Sequence, residues 1–91
     1  MDIRVYGTDW CGITFGVRKY LMNLRLAYEF LDIDRDPRAE KFVLRTHGGR
    51  RHCPVVVVRD EVLTSPTVAA LQRVLDQQGI RPPSRPVIRD E

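Results

Sequence analysis

The sequence predicts an α/β domain, a three-layer α/β/α sandwich with the element order β-α-β-α-β-β-α and a four-stranded mixed sheet. Three observations carry this. The first third of the chain reads strand, helix, strand, a unit that closes as a parallel crossover. The run Val55 to Val58 is continuously apolar and β-branched, as in a strand covered on both faces. The polar triplet Arg59-Asp60-Glu61 then turns into a short edge strand at Val62 and Leu63, forming an antiparallel hairpin.

The elements follow in order. Ile3 to Tyr6 alternates with polar neighbours and gives way to Gly7, Thr8 and Asp9, so a strand runs into a loop that delivers Cys11. Ile13, Val17, Leu21 and Leu24 then recur at helical spacing, predicting an amphipathic helix that starts at or beside Cys11 with these residues inward. Tyr28 to Ile33 reads as the second strand. Asp36 followed by Pro37 is a helix start, an N-cap oxygen before a residue whose missing N–H costs nothing at the first helical position. Gly48 and Gly49 close that helix. Ser65 and Pro66 are expected to open the last one, which carries Val68, Leu71 and Leu75 inward and stops at Gly79.

The chain of 91 residues allows one core, so residues 1–79 are assigned to a single domain and 80–91, with Pro82, Pro83 and Pro86 among charges, to a flexible tail. Hydrophobic content of 43% and charged content of 30% fit a globular domain, and no apolar run is long enough to span a bilayer. With no export signal, the expected location is cytoplasmic, with no membrane partner. The net charge of +3 is spread along the chain and interleaved with acids, which argues against nucleic acid as a partner. Two cysteines, Cys11 and Cys53, make no disulfide framework and are judged instead as reactive or buried thiols.

A cysteine in the first turn of a helix faces unsatisfied backbone N–H groups and the positive end of the helix dipole, and both favour the thiolate. From a free value of ~8.5, such thiols fall to ~3.5–7.5 and attack disulfide sulfur at neutral pH. Asp9 is expected to oppose this as a nearby like charge. Arg18 and Lys19, two turns on, lie too far to help.

Val5-Tyr6-Gly7-Thr8-Asp9-Trp10-Cys11-Gly12 resembles the active-site segment of the glutaredoxins, of the thioredoxin superfamily. Tyr28 to Asp34 resembles that family's second strand, and Gly48-Gly49-Arg50-Arg51-His52-Cys53-Pro54 the approach to its cis-proline. Leu63-Thr64-Ser65-Pro66 is similar to the mycoredoxin form of the last helix start. The resemblance implies a thioredoxin-like fold and thiol–disulfide oxidoreductase activity with Cys11 as nucleophile. It also implies a cis bond before Pro54, with the backbone of Cys53 pairing with the bound thiol. Trp10, Gly12, Cys53, Pro54, Arg50, Arg51, Thr64 and Ser65 are the implied thiol-substrate-binding residues. Glutathione or mycothiol is the implied co-substrate, a protein carrying a mixed disulfide the implied partner, and a monomer the implied state.

The chain departs from the family at two places. Dithiol members carry a second cysteine three residues after the first, where this chain has Thr14, so exchange follows a monothiol route and Thr14 is a candidate donor to the thiolate. Cys53 stands where an apolar residue is common; it is either a small hydrophobe in the core or a resolving thiol or metal ligand beside Cys11. A direct bond would need Cα atoms about 4.4–6.8 Å apart. His52 is a further candidate base or ligand, with plain exposure as the alternative. Cys11-Gly12-Ile13-Thr14 is also similar in outline to monothiol members that hold a [2Fe–2S] cluster, which needs four sulfur ligands. That is the alternative function, with a noncatalytic thioredoxin-fold module as the third.

Overall fold

A computed structural model describes residues 1–83, and the rest of the expected tail lies outside the described residues. The elements are β1 (Ile3–Gly7), α1 (Gly12–Asn23), β2 (Glu29–Asp32), α2 (Pro37–Thr46), β3 (Val55–Val58), β4 (Glu61–Thr64) and α3 (Val68–Gln77). The four strands form one mixed sheet in the order β2-β1-β3-β4. β1 pairs with β2 in parallel and with β3 antiparallel, and β4 returns antiparallel along β3. The thioredoxin-like α/β sandwich expected from the sequence is therefore the fold adopted.

β3 is central because all four of its valines are buried, and alternation sends them to opposite faces. Val56 and Val58 join Ile3, Val5, Val17, Leu21, Leu71 and Leu75 in a core beneath α1 and α3. Val55 and Val57 join Tyr6, Ile33, Ala39 and Val43 in a second core beneath α2. Ile80, just after α3, packs against the first core.

Two helices bury the face that periodicity suggests, at Val17 and Leu21 and at Leu71 and Leu75, but depart from it at their first turn. Ile13 is exposed, and the inward positions of α1 are Thr14, Val17 and Leu21. A threonine hydroxyl in a buried stripe is invisible to a hydrophobic pattern. In α3 the buried residues are Leu71, Val74 and Leu75, while Val68 is exposed. That helix is capped by Thr67, whose hydroxyl accepts the Ala70 N–H at 3.1 Å, and not by Ser65. Ser65 has a positive φ of 44° and gives its N–H to the Pro54 carbonyl at 2.7 Å, so its backbone still belongs to the loop after β4. α2 begins as expected: the Asp36 carboxylate accepts from the Arg38 and Ala39 N–H groups at 3.0 and 3.3 Å.

Candidate active site

β1 ends and α1 begins at one rim of the sheet, and Cys11 is the N-cap residue of α1. Its carbonyl takes the first helical hydrogen bond, from the Phe15 N–H at 3.0 Å. No acidic side chain lies in the first turn to compete for its positive end. In the neutral form, the Cys11 S–H donates to the Cys53 carbonyl at 3.7 Å. Once ionised, the sulfur becomes an acceptor only.

Burial works against that ionisation, but the donors around the sulfur, the Thr14 hydroxyl, the Thr14 N–H, the Cys53 thiol and the Ile13 N–H, outweigh it by favouring the charged form. Together they hold Cys11 below the ordinary thiol range. Ile13 and Thr14 are the second and third helical residues, whose N–H groups a side-chain N-cap normally satisfies; Cys11 makes no side-chain cap bond as a thiol, so these N–H groups favour its thiolate. Asp9, expected to oppose ionisation, takes no part: it is exposed and pairs with Arg35 at 3.8 Å. The Thr14 hydroxyl is fully buried and has no hydrogen-bond partner among the described residues, so it is available to the sulfur once that ionises.

Facing Cys11 is the loop before β3, where the Cys53–Pro54 peptide bond is cis. The Cys53 carbonyl also accepts from the Ser65 hydroxyl at 3.2 Å, so β4 and the proline loop are tied at the same point. Burial raises the Cys53 thiol above the ordinary range, assisted by the neighbouring Cys11 sulfur and countered by the Thr8 hydroxyl and the charge of Arg51. Cys11, Thr14, Cys53, Pro54 and Ser65 thus meet at one place, with Gly12 exposed at the head of α1.

The other candidates are arranged differently. Trp10 is 70% exposed, and its indole N–H donates to the Asp34 carboxylate at 2.8 Å. The opposite oxygen of Asp34 binds Arg51, whose Nε donates to Glu40 at 3.1 Å. The Arg51 and Trp10 hydrogen bonds hold the Asp34 carboxyl below the usual carboxylate range. Arg51 is therefore clamped between two carboxylates. Arg50 is exposed and forms no ion pair among the described residues. Thr64 shares a 2.6 Å hydrogen bond with His47, which ties the end of α2 to β4. His52 stacks at a tilt on His47, with ring centroids 4.7 Å apart.

Three residues here carry no role on sequence grounds. Gly7 reads as a turn signal, yet a Cβ there would lie 2.5 Å from both Thr14 Cγ2 and Oγ1, so its bare backbone is what admits Thr14. Thr8 is buried beside Cys53 with its hydroxyl unpartnered among the described residues. Asp34 connects Trp10 to Arg51. The only local signal was a Gly-Thr pair at a strand end, which turn chemistry explains equally well.

The glutaredoxin family model matches residues 3–63, from β1 into β4, and so contains both cysteines and the cis-proline. The chain belongs to the glutaredoxin family. A Mycobacterium tuberculosis protein named as a candidate glutaredoxin, present in two strains, is 35% identical over 66 residues, covering 71% of this chain and 79% of its own. Among solved structures, the thioredoxin-like protein BC3987 matches this glutaredoxin with a TM-score of 0.72 and 29% identity, over 80% of this chain and 99% of its own. The glutaredoxin-like NrdH-redoxin from Escherichia coli matches with a TM-score of 0.65 and 25% identity, over 79% and 93%. These relationships support a redox function for the chain.

Proposed function

We propose that this glutaredoxin is a thiol–disulfide oxidoreductase that acts on mixed disulfides through Cys11 by a monothiol route. The supporting observation is the Cys11 sulfur at the N-cap of α1, within reach of the Ile13 and Thr14 N–H groups and the Thr14 hydroxyl. In the first step the Cys11 thiolate attacks the small-thiol sulfur of a mixed disulfide. A new S–S bond forms on Cys11, the old one breaks, and the substrate protein leaves as a thiolate that takes a proton from water. In the second step an external small-thiol thiolate attacks the Cys11 adduct, releasing a small-molecule disulfide and restoring the Cys11 thiolate. Thr14 holds the anion, and the Cys53 backbone with Pro54 aligns the incoming disulfide. Trp10 walls the groove, and Thr64 and Ser65 brace the proline loop from β4.

The co-substrate is a low-molecular-weight thiol, and the state of Arg51 bears on which one. Glutathione carries carboxylates that seek an uncommitted guanidinium; Arg51 is already engaged by Asp34 and Glu40, which leaves Arg50 alone of the candidate pair. Mycothiol carries no carboxylate, and it is the co-substrate favoured here. The protein works as a monomer in the cytoplasm on protein mixed disulfides. The test measures release of a peptide from its mycothiol and glutathione mixed disulfides by the protein and by Cys11→Ser. Turnover with a preference for the mycothiol form, abolished by the substitution, is expected; turnover that survives Cys11→Ser would overturn the proposal.

A further inference from the structure

Buried polar side chains are normally paired, and two here are orphaned among the described residues: the hydroxyls of Thr8 and Thr14, at 1% and 0% exposure. Each stands beside one of the two cysteines, Thr14 beside Cys11 and Thr8 beside Cys53. The Cys11 S–H lies 3.7 Å from the Cys53 carbonyl, and each thiol influences the ionisation of the other. A thiol pair with one unpartnered donor at each sulfur is more than a core filled with a small hydrophobe requires.

We propose that Cys53 is a resolving thiol, which attacks the Cys11 mixed disulfide and closes an intramolecular Cys11–Cys53 bond between the head of α1 and the loop before β3. This step rests on the reading of Cys11 as nucleophile and adds a second exit from its adduct. The exchange balances. The Cys53 thiolate forms the new S–S bond with Cys11 Sγ, the bond from Cys11 to the small thiol breaks, and the small thiol leaves as its thiolate with the electron pair. The proton lost by Cys53 passes to water. Over both steps the mixed disulfide is reduced to two thiols and the cysteine pair is oxidised, and an external dithiol reductant returns the pair to the reduced state.

The electrostatics order the two steps. In the resting protein Cys53 is kept protonated by burial together with the hydrogen bond and charge of Cys11. When Cys11 enters a mixed disulfide its charge is gone and its sulfur no longer competes. The influences left on Cys53 besides burial, the Thr8 hydroxyl and the charge of Arg51, both favour its thiolate. Formation of the adduct is thus the event that releases the resolving nucleophile. Thr8 acts as a positioning residue for that anion.

The experiment treats reduced protein with oxidised glutathione as the probe and follows intact mass and disulfide-linked peptides with time. Wild type is expected to pass through a Cys11 adduct to a form two hydrogens lighter than the reduced protein, with the Cys11 and Cys53 peptides linked. Cys53→Ser and the more conservative Cys53→Val are expected to stop at the adduct. Thr8→Val should slow bridge formation about tenfold at neutral pH and move its pH profile upward, a change that a packing role alone would not produce. A wild-type adduct that persists as it does in Cys53→Val would overturn the resolving role while leaving Cys11 as nucleophile. Absence of any adduct in the two Cys53 variants, both folded by circular dichroism, would overturn the resolving role and the function of Cys11 together.

Discussion

Replacing Gly7 by alanine tests the contact that seats Thr14 beside the Cys11 sulfur. The added Cβ would lie 2.5 Å from Thr14 Cγ2 and Oγ1 and 3.1 Å from Thr14 Cβ. Thr14 is fully buried under the first turn of α1, so it cannot swing away without moving the helix. Overpacking of this kind costs about 1–3 kcal/mol. An alanine in a strand recovers ~0.5–1 kcal/mol that glycine loses to chain entropy. A net loss of about 1–2 kcal/mol follows, which lowers the melting temperature by roughly 4–16 °C in a domain of this size. Displacement of Thr14 also removes a hydrogen bond from the thiolate, so alkylation of Cys11 by iodoacetamide at neutral pH slows. The assay is a thermal melt by circular dichroism together with the alkylation rate. Adding Thr14→Ala removes the two closest atoms, so the double variant should be more stable than the sum of the single losses by about 1 kcal/mol. A Gly7→Ala protein that melts at or above wild type with an unchanged alkylation rate would refute the close-approach account.

Thr14→Val, nearly isosteric, should lower Cys11 alkylation at neutral pH about tenfold through loss of one hydrogen bond to a charged sulfur. The thiol form should be no less stable, because an unpartnered buried hydroxyl is removed; a slower melt-resistant protein with unaltered reactivity would contradict this. Because Cys11 is lowered in the folded state, its contribution to stability is present above the ordinary thiol value of ~8.5 and lost as pH falls through the lowered one. Stability of the wild type minus that of Cys11→Ser should therefore rise with pH over that window, as read by urea titration at successive pH values. Asp34→Asn should free Arg51 and Trp10, shift the tryptophan emission and improve turnover with glutathione relative to mycothiol; an unchanged preference would argue against a clamp on Arg51. In the wild type the Trp10 emission should hold constant down to a pH of ~4 and change only below it, since the Asp34 carboxyl is held below the usual carboxylate range. Asp36→Ala should cost about 1 kcal/mol, or ~4–8 °C, through loss of the α2 cap, with alkylation of Cys11 unaffected.

Much of this protein is encoded within short stretches of chain. The four valines of β3, the Asp36-Pro37 start of α2, the polar turn at Arg59-Asp60 and the placement of Cys11 at a loop-to-helix junction are each legible in a few neighbouring residues. Strand alternation, caps and helix dipoles act over one or two turns, so sequence suffices for them. Where it misleads, the deciding energy is a distant contact. Ile13 gives way to Thr14 because the head of α1 docks on the bare backbone of Gly7. Ser65 gives way to Thr67 as a cap because its N–H and hydroxyl are spent on the Pro54 and Cys53 carbonyls.

The sequence by itself determined the α/β/α order, the two faces of the sheet and the place of Cys11 at the mouth of a helix. Only the tertiary structure decided that Cys53 and Thr8 stand opposite Cys11 and Thr14, and that Arg51 is paired with Asp34 and Glu40. Those pairings join residues as many as 42 positions apart. They exist because the packing of helices on a shared sheet, not the chemistry of neighbouring residues, sets which side chains meet at its rim.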